Sequence, residues 1–144
     1  MFITPDQPTR FTTAKEYELL PEGAPYQLIG GELVMSPAPI FFHQRVLGRL
    51  FRALSDFVEA CDLGEVVISP MDVHLTVIDV YQPDMLFIRK ENLPKIDPSD
   101  WVRLVPDMVL EVLSPSTSVK DYNRKKTIYG ECGVREYWIV DPIE

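Results

Sequence analysis

Hydrophobic and polar positions follow different rhythms along this chain, and the rhythms mark out its elements. The clearest begins at Phe42. With Val46, Leu47, Leu50, Phe51, Leu54, Phe57, Val58 and Cys61 it forms one apolar stripe at helical spacing, which predicts a long amphipathic helix ended by Gly64. Arg45, Arg49 and Arg52 fall on the other side, and read either as a solvated face or as a patch that meets phosphate. Upstream, Thr13 precedes a run of good helix formers, so a short helix is expected over residues 13–20, stopping at Pro21. Next, YQLIGGELVM holds two short apolar runs joined by Gly30-Gly31. That pair tolerates the positive φ of a tight turn and predicts a hairpin of strands Tyr26–Ile29 and Glu32–Met35.

Beyond Gly64 strands dominate. EVVISP, MDVHLTV and VYQPDMLFIR are rich in β-branched and aromatic residues, and a polar, proline-containing loop covers residues 90–103. LVPDMVLEVLS is nearly continuous in apolar character, as in a strand buried on both faces. A serine/threonine cap, a helix and the terminating Gly133 come next, and VREYWIVDP reads as another buried strand. The order α, ββ, α, βββ, β, α, β predicts an α/β fold, a mixed central β-sheet flanked by α-helices. The first dozen residues carry three threonines and two prolines and read as an arm on a single domain over residues 1–144.

Composition narrows the function. At 46% hydrophobic and 25% charged the chain has the make-up of a folded soluble protein. No apolar run approaches the roughly 20 residues that span a bilayer, and the start has no signal-peptide pattern, so a cytoplasmic protein with no membrane partner is expected. Cys61 and Cys132 lie in no metal-ligand spacing and read as free thiols. The net charge of −8 excludes a non-specific nucleic-acid coat. Any DNA contact must use a local basic patch, a divalent metal or an assembly.

Three polar residues interrupt apolar runs. Asp84 leads into MLFI, Glu111 splits MVL from VL, and Lys125 lies in the helix after that second strand. Carboxylates in a sheet core are costly unless paired, hydrogen-bonded or bound to a cation. Two from neighbouring strands can chelate Mg²⁺ or Mn²⁺, and a nearby lysine can orient a water. The plainer reading is a turn aspartate and a solvent-facing glutamate. Asp121, Lys125 and Tyr129, at i, i+4, i+8, share one helix face. Lys120, Arg124, Lys125 and Lys126 make the most basic stretch, and Lys120, Arg124 and Lys126 are the candidates for phosphate contact. Glu32 is a weaker candidate for the metal centre, and His43 either carries protons or caps its helix. A Gly-rich phosphate loop, a G-x-S-x-G elbow and Cys/His zinc spacing are all missing from the sequence.

The strings YQLIGGELVMSPAP, HQRVLGRLFRALSDFVE, QPDMLFI, PDMVLEVLSPST and GVREYWIVDP resemble the bacterial "putative restriction endonuclease" family called Uma-two, over residues 26–142. That family is assigned to the PD-(D/E)xK nuclease superfamily. The resemblance implies a restriction-endonuclease-like fold and metal-dependent cleavage of DNA. It carries the metal-binding aspartate to Asp84, the acidic strand residue to Glu111, and the lysine of a D-x-x-x-K-x-x-x-Y pattern to Lys125. It carries the glutamate of G-E-L to Glu32 and the histidine after S-P to His43. One departure stands out: the superfamily lysine belongs two residues after the glutamate, where this chain has Leu113. Lys125 could reach the same point from the helix, or the domain could be catalytically weak and bind nucleic acid or a partner protein. The chain also ends soon after WIVDP, so a carboxy-terminal hairpin is expected to be missing. A homodimer would supply the two sites that cutting both strands of a duplex requires.

Overall fold

Gly30 and Gly31 take φ of 58° and 82°, values open to glycine at no steric cost. The chain reverses there, and strand β1 (Tyr26–Ile29) pairs antiparallel with β2 (Glu32–Met35) as the hairpin pattern predicts. In the computed structural model, which describes residues 11–115 and 118–143, this hairpin joins β4 (Val73–Thr76) and β5 (Asp79–Tyr81) in a sheet of order β2-β1-β5-β4. A second sheet has the order β3-β6-β7-β8, from β3 (Gly64–Ile68), β6 (Met85–Arg89), β7 (Met108–Val112) and β8 (Glu136–Val140). It is mixed: β3, β6 and β7 run antiparallel, whereas β7 and β8 are parallel. The mixed α/β class stands as expected, but its strands form two sheets rather than one.

Proline explains the division. The run VYQPDMLFIR, expected as one strand, splits because Pro83 has no N–H to give to a ladder. Residues before it stay in the first sheet, and residues after it enter the second. Gln82 N–H donates to Gln27 Oε1 at 2.8 Å and ties the crossing to the hairpin. Asp84 therefore stands at the step from one sheet to the other.

Three α-helices complete the fold. Thr13 caps α1 (Ala14–Tyr17), its hydroxyl accepting from Glu16 N–H, so this helix is shorter than the expected 13–20. The arm expected over residues 1–12 lies outside the described residues except for Phe11 and Thr12, whose N–H bonds Gly31 O at 2.8 Å. Helix α2 (Phe41–Ala60) sets Val46, Leu47, Leu50, Phe51 and Leu54 against Met85, Leu110 and Val112. Phe42 and Phe57, at the margins of its apolar stripe, are 44% and 60% exposed. Helix α3 (Val119–Cys132) starts on Ser118, whose hydroxyl accepts from Asp121 N–H, and ends on Gly133 with φ 97°. It supplies the crossover that a parallel β7–β8 pair requires. Strand β8, expected to be buried, is half-exposed because only β7 pairs with it among the described residues. Cys61 and Cys132 are free thiols.

A buried ion pair joins α3 to the first sheet. Asp79 is fully buried and accepts from Arg124 Nη2 at 2.8 Å, Thr76 Oγ1 at 2.6 Å, Tyr81 hydroxyl at 2.5 Å and Gly30 N–H at 2.9 Å. Burial alone would raise its pKa, but the donors from Arg124, Thr76, Tyr81 and Gly30 together hold the carboxyl below its ordinary 3.8. A depressed carboxylate stabilises the fold above its ordinary pKa and loses that contribution as pH falls through the depressed value. Asp79→Ala should therefore lower unfolding free energy by about 3 kcal/mol at pH 7. In urea titrations the gap to the wild type should narrow below the ordinary 3.8.

Candidate active site

A cleft of about 560 Å³ opens between the β1–β2 hairpin, the first turn of α2 and the second sheet. It holds His43, Asp84, Glu111, Asp121 and Lys125. Four residues that the sequence singled out as catalytic thus share one cavity, delivered by α2, the start of β6, β7 and α3.

Asp84 and β7 are locked together. Asp84 Oδ2 accepts Val112 N–H at 2.7 Å. His43, buried beneath α2, places Nε2 at 3.0 Å from Val112 O and 3.4 Å from Asp84 Oδ2. A carbonyl oxygen only accepts, so Nε2 carries the proton in this contact. The other ring nitrogen meets the Gln44 side chain at 2.9 Å. Burial pushes the Asp84 carboxyl above its ordinary pKa, and the nearby Glu111 charge adds to this, against the pull of Val112 N–H, His43 and Lys125. No protein donor reaches Asp84 Oδ1 among the described residues.

Glu111 interrupts an otherwise buried strand because it has its own partners. Lys125 Nζ donates to Oε1 at 2.7 Å and the Tyr137 hydroxyl donates to Oε2 at 2.5 Å. The side chains of Lys125 and Glu111 are only 9% and 13% exposed. Lys125 Nζ also lies 5.6 Å over the Tyr81 ring, a favourable place for a desolvated cation. Leu113 follows Glu111 by two residues, and the lysine that contacts Glu111 arrives instead from α3. Tyr137 escaped the sequence reading. It pairs in register with Val109 on β7, two residues from Glu111 and so on the same sheet face, but nothing local to the sequence reveals that register. Tyr129, on the Lys125 face of α3, packs against Tyr81 and Tyr137 and is fully buried, its hydroxyl without a hydrogen-bond partner among the described residues. Its burial pushes the phenol well above its ordinary pKa.

Other candidates lie outside this cluster. Glu32 is exposed on β2, with Lys120 Nζ at 3.7 Å. Arg124 commits its guanidinium to Asp79, and Lys126 is exposed. His74 sits 3.6 Å from Glu18, near the Trp101 ring. A larger cavity of about 820 Å³, lined by Tyr17, Glu18, Asp72 and Trp101, holds none of the four clustered residues.

The fold has a counterpart among solved structures. The fold is that of "a putative nuclease belonging to DUF820 from Anabaena variabilis", with a TM-score of 0.79 and 20% identity over 92% of this chain and 75% of that one. At that identity the likeness is one of fold. Residues 14–144 match Uma2, described as "Putative restriction endonuclease", and the chain belongs to that family. No protein of curated function matches it. Among the described residues no helix is long and apolar enough to cross a membrane.

The donor set suits a hard cation. Mg²⁺ and Mn²⁺ take oxygen ligands, and Mg²⁺ is commonly held by one or two carboxylates with water and substrate phosphate completing the shell. Asp84 has an oxygen without a protein donor among the described residues, and the Glu111 charge bears on it. Among the described residues no group of three or more His, Cys, Asp or Glu could hold a metal ion, so two carboxylates would be the protein's share.

Breaking a buried pair leaves an uncompensated charge. Lys125→Met should cost about 3 kcal/mol in urea unfolding, and adding Glu111→Gln should recover at least about half of it. Additive losses in the double variant would mean that the pair does not couple.

Proposed function

We propose that this protein is an endonuclease, dependent on Mg²⁺ or Mn²⁺, that hydrolyses DNA phosphodiester bonds at Asp84, Glu111 and Lys125. The observation that carries this reading is the meeting of two carboxylates from different strands with a buried lysine, Nζ 2.7 Å from Glu111 Oε1, in one open cleft. Membership of a family described as restriction endonucleases supports it.

In the proposed reaction a water attacks phosphorus and gives up a proton to solvent, the bond to the leaving sugar oxygen breaks, and that oxygen takes a proton from solvent. Asp84 and Glu111 would hold the cation, which would stabilise charge developing on the phosphoryl oxygens. Lys125 has further N–H donors beyond the one given to Glu111, and directs them at the attacking water. Tyr137 keeps Glu111 Oε2 in place, so the carboxylate stays oriented if Oε1 exchanges partners. His43 fixes Asp84 through Val112, and its proton on Nε2 lies within reach of the carboxylate. Glu32 lies outside the cleft and takes no part in the proposed reaction, whereas the α3 cations Lys120 and Lys126 would meet the DNA beyond the cleft.

Supercoiled plasmid incubated with Mg²⁺ or Mn²⁺ should be nicked, and EDTA should stop it. Asp84→Asn keeps an acceptor for Val112 N–H, so it should fold with stability within about 1 kcal/mol of the wild type and lose at least about 100-fold in cleavage rate. Undiminished cleavage by Asp84→Asn would remove the assignment. The melting temperature should rise with millimolar Mg²⁺ or Mn²⁺ in the wild type and less in the variant, because a ligand that binds only the folded state stabilises it. No cleavage and no metal-linked shift would point instead to a nuclease-like domain that binds without cutting.

A further inference from the structure

Helix α2 bears Arg45, Arg49 and Arg52. At i, i+4 and i+7 they fall within about 60° of one another around the helix and span about 10 Å along it. All are exposed, and none has an ion-pair or hydrogen-bond partner among the described residues. Five other cations are committed: Arg89 to Glu91, Lys90 to Asp62, Arg103 to Glu18 and Asp100, Arg124 to Asp79, Lys125 to Glu111; Lys15, Lys95, Lys126 and Arg135 are exposed but scattered over other elements. Like charges at i, i+4 repel by a few tenths of a kcal/mol, so a strip of guanidinium groups is better suited to an anionic partner than to bare solvent.

The strip is also polarised. It continues past Arg52 as Asp56 and Glu59, so only its amino-terminal half is basic. That is the half whose first turn brings His43 and Gln44 to the wall of the cleft. Each strand of duplex DNA carries one phosphate per 3.4 Å of helix axis, so a strip about 10 Å long matches about three phosphates of one strand. A chain of net charge −8 must make any such contact locally.

We infer that the outward face of α2 binds the phosphate backbone of duplex DNA beside the cleft, with Arg45, Arg49 and Arg52 each meeting a phosphate. The inference rests on the endonuclease reading and adds to it where the duplex lies.

The test is fluorescence anisotropy of a labelled 20-base-pair duplex (about 68 Å long at 3.4 Å per pair) in EDTA across a salt series. It compares wild type, R45Q/R49Q/R52Q, and a charge-matched control, K15Q/K95Q/R135Q, drawn from exposed cations away from α2. Glutamine is close to arginine in helix propensity, and circular dichroism checks that the fold is kept. The α2 variant should bind at least about 10-fold more weakly, and its slope of log affinity against log salt should be shallower by about 2.7, at 0.9 per phosphate. The control should keep the wild-type slope. Equal losses in both variants, or an unchanged slope in the α2 variant, overturn the inference. So does self-association of the wild type that the α2 variant loses, which would assign the strip to a second copy. If the wild type nicks plasmid but the α2 variant binds unchanged, this inference alone fails. A wild type that binds through α2 without nicking retains the inference and loses the endonuclease reading, and one that does neither loses both.

Discussion

A carboxylate removed from water must recover its hydrogen bonds, and the organisation of this protein turns on where that requirement is met and where it is not. Asp79 and Asp84 stand on either side of the crossing between the sheets. Asp79 receives donors from Arg124, Thr76, Tyr81 and Gly30, and its pKa falls. Asp84 receives one backbone N–H and a histidine at 3.4 Å, and its pKa rises. The first arrangement binds α3 to the hairpin sheet. The second leaves a carboxylate short of partners at the mouth of a cleft, as expected of a group whose partner comes from outside the chain.

The candidate site residues were visible in the sequence because they break a pattern. Asp84, Glu111 and Lys125 are polar where a buried run should be apolar, and the structure sets Glu111 and Lys125 in the core's margin as an ion pair. The hairpin, α2 and the caps of α3 were equally legible, since each depends on neighbours within a turn or two of chain. Long-range pairing was not. The four-donor shell of Asp79 depends on residues up to 49 positions away in sequence, so Arg124 looked like a free phosphate ligand. Tyr137 joins Glu111 only through the parallel register of β7 and β8. Pro83 was in plain view, but the choice it forces between two sheets depends on strands elsewhere in the chain.

Lysine placement on α3 also has an energetic side. From the helix the side chain brings its ammonium over the Tyr81 ring and onto Glu111 together. The pair is buried enough that losing either partner is costly, so under the proposed endonuclease reading activity and stability would be tied together at this point. Asp84, which lacks such a partner, is the place where the two can be separated.

The Glu111, Lys125 and Tyr137 contacts span only 14 and 26 residues of chain, whereas the contact of His43 with Val112 spans 69. Short closures lose less chain entropy and favour early formation. One strand–helix–strand unit can therefore bring Glu111, Lys125 and Tyr137 together as a local event. The histidine comes from α2 instead, and an equilibrium opening of α2 would expose the cleft while leaving the lysine and its glutamate joined.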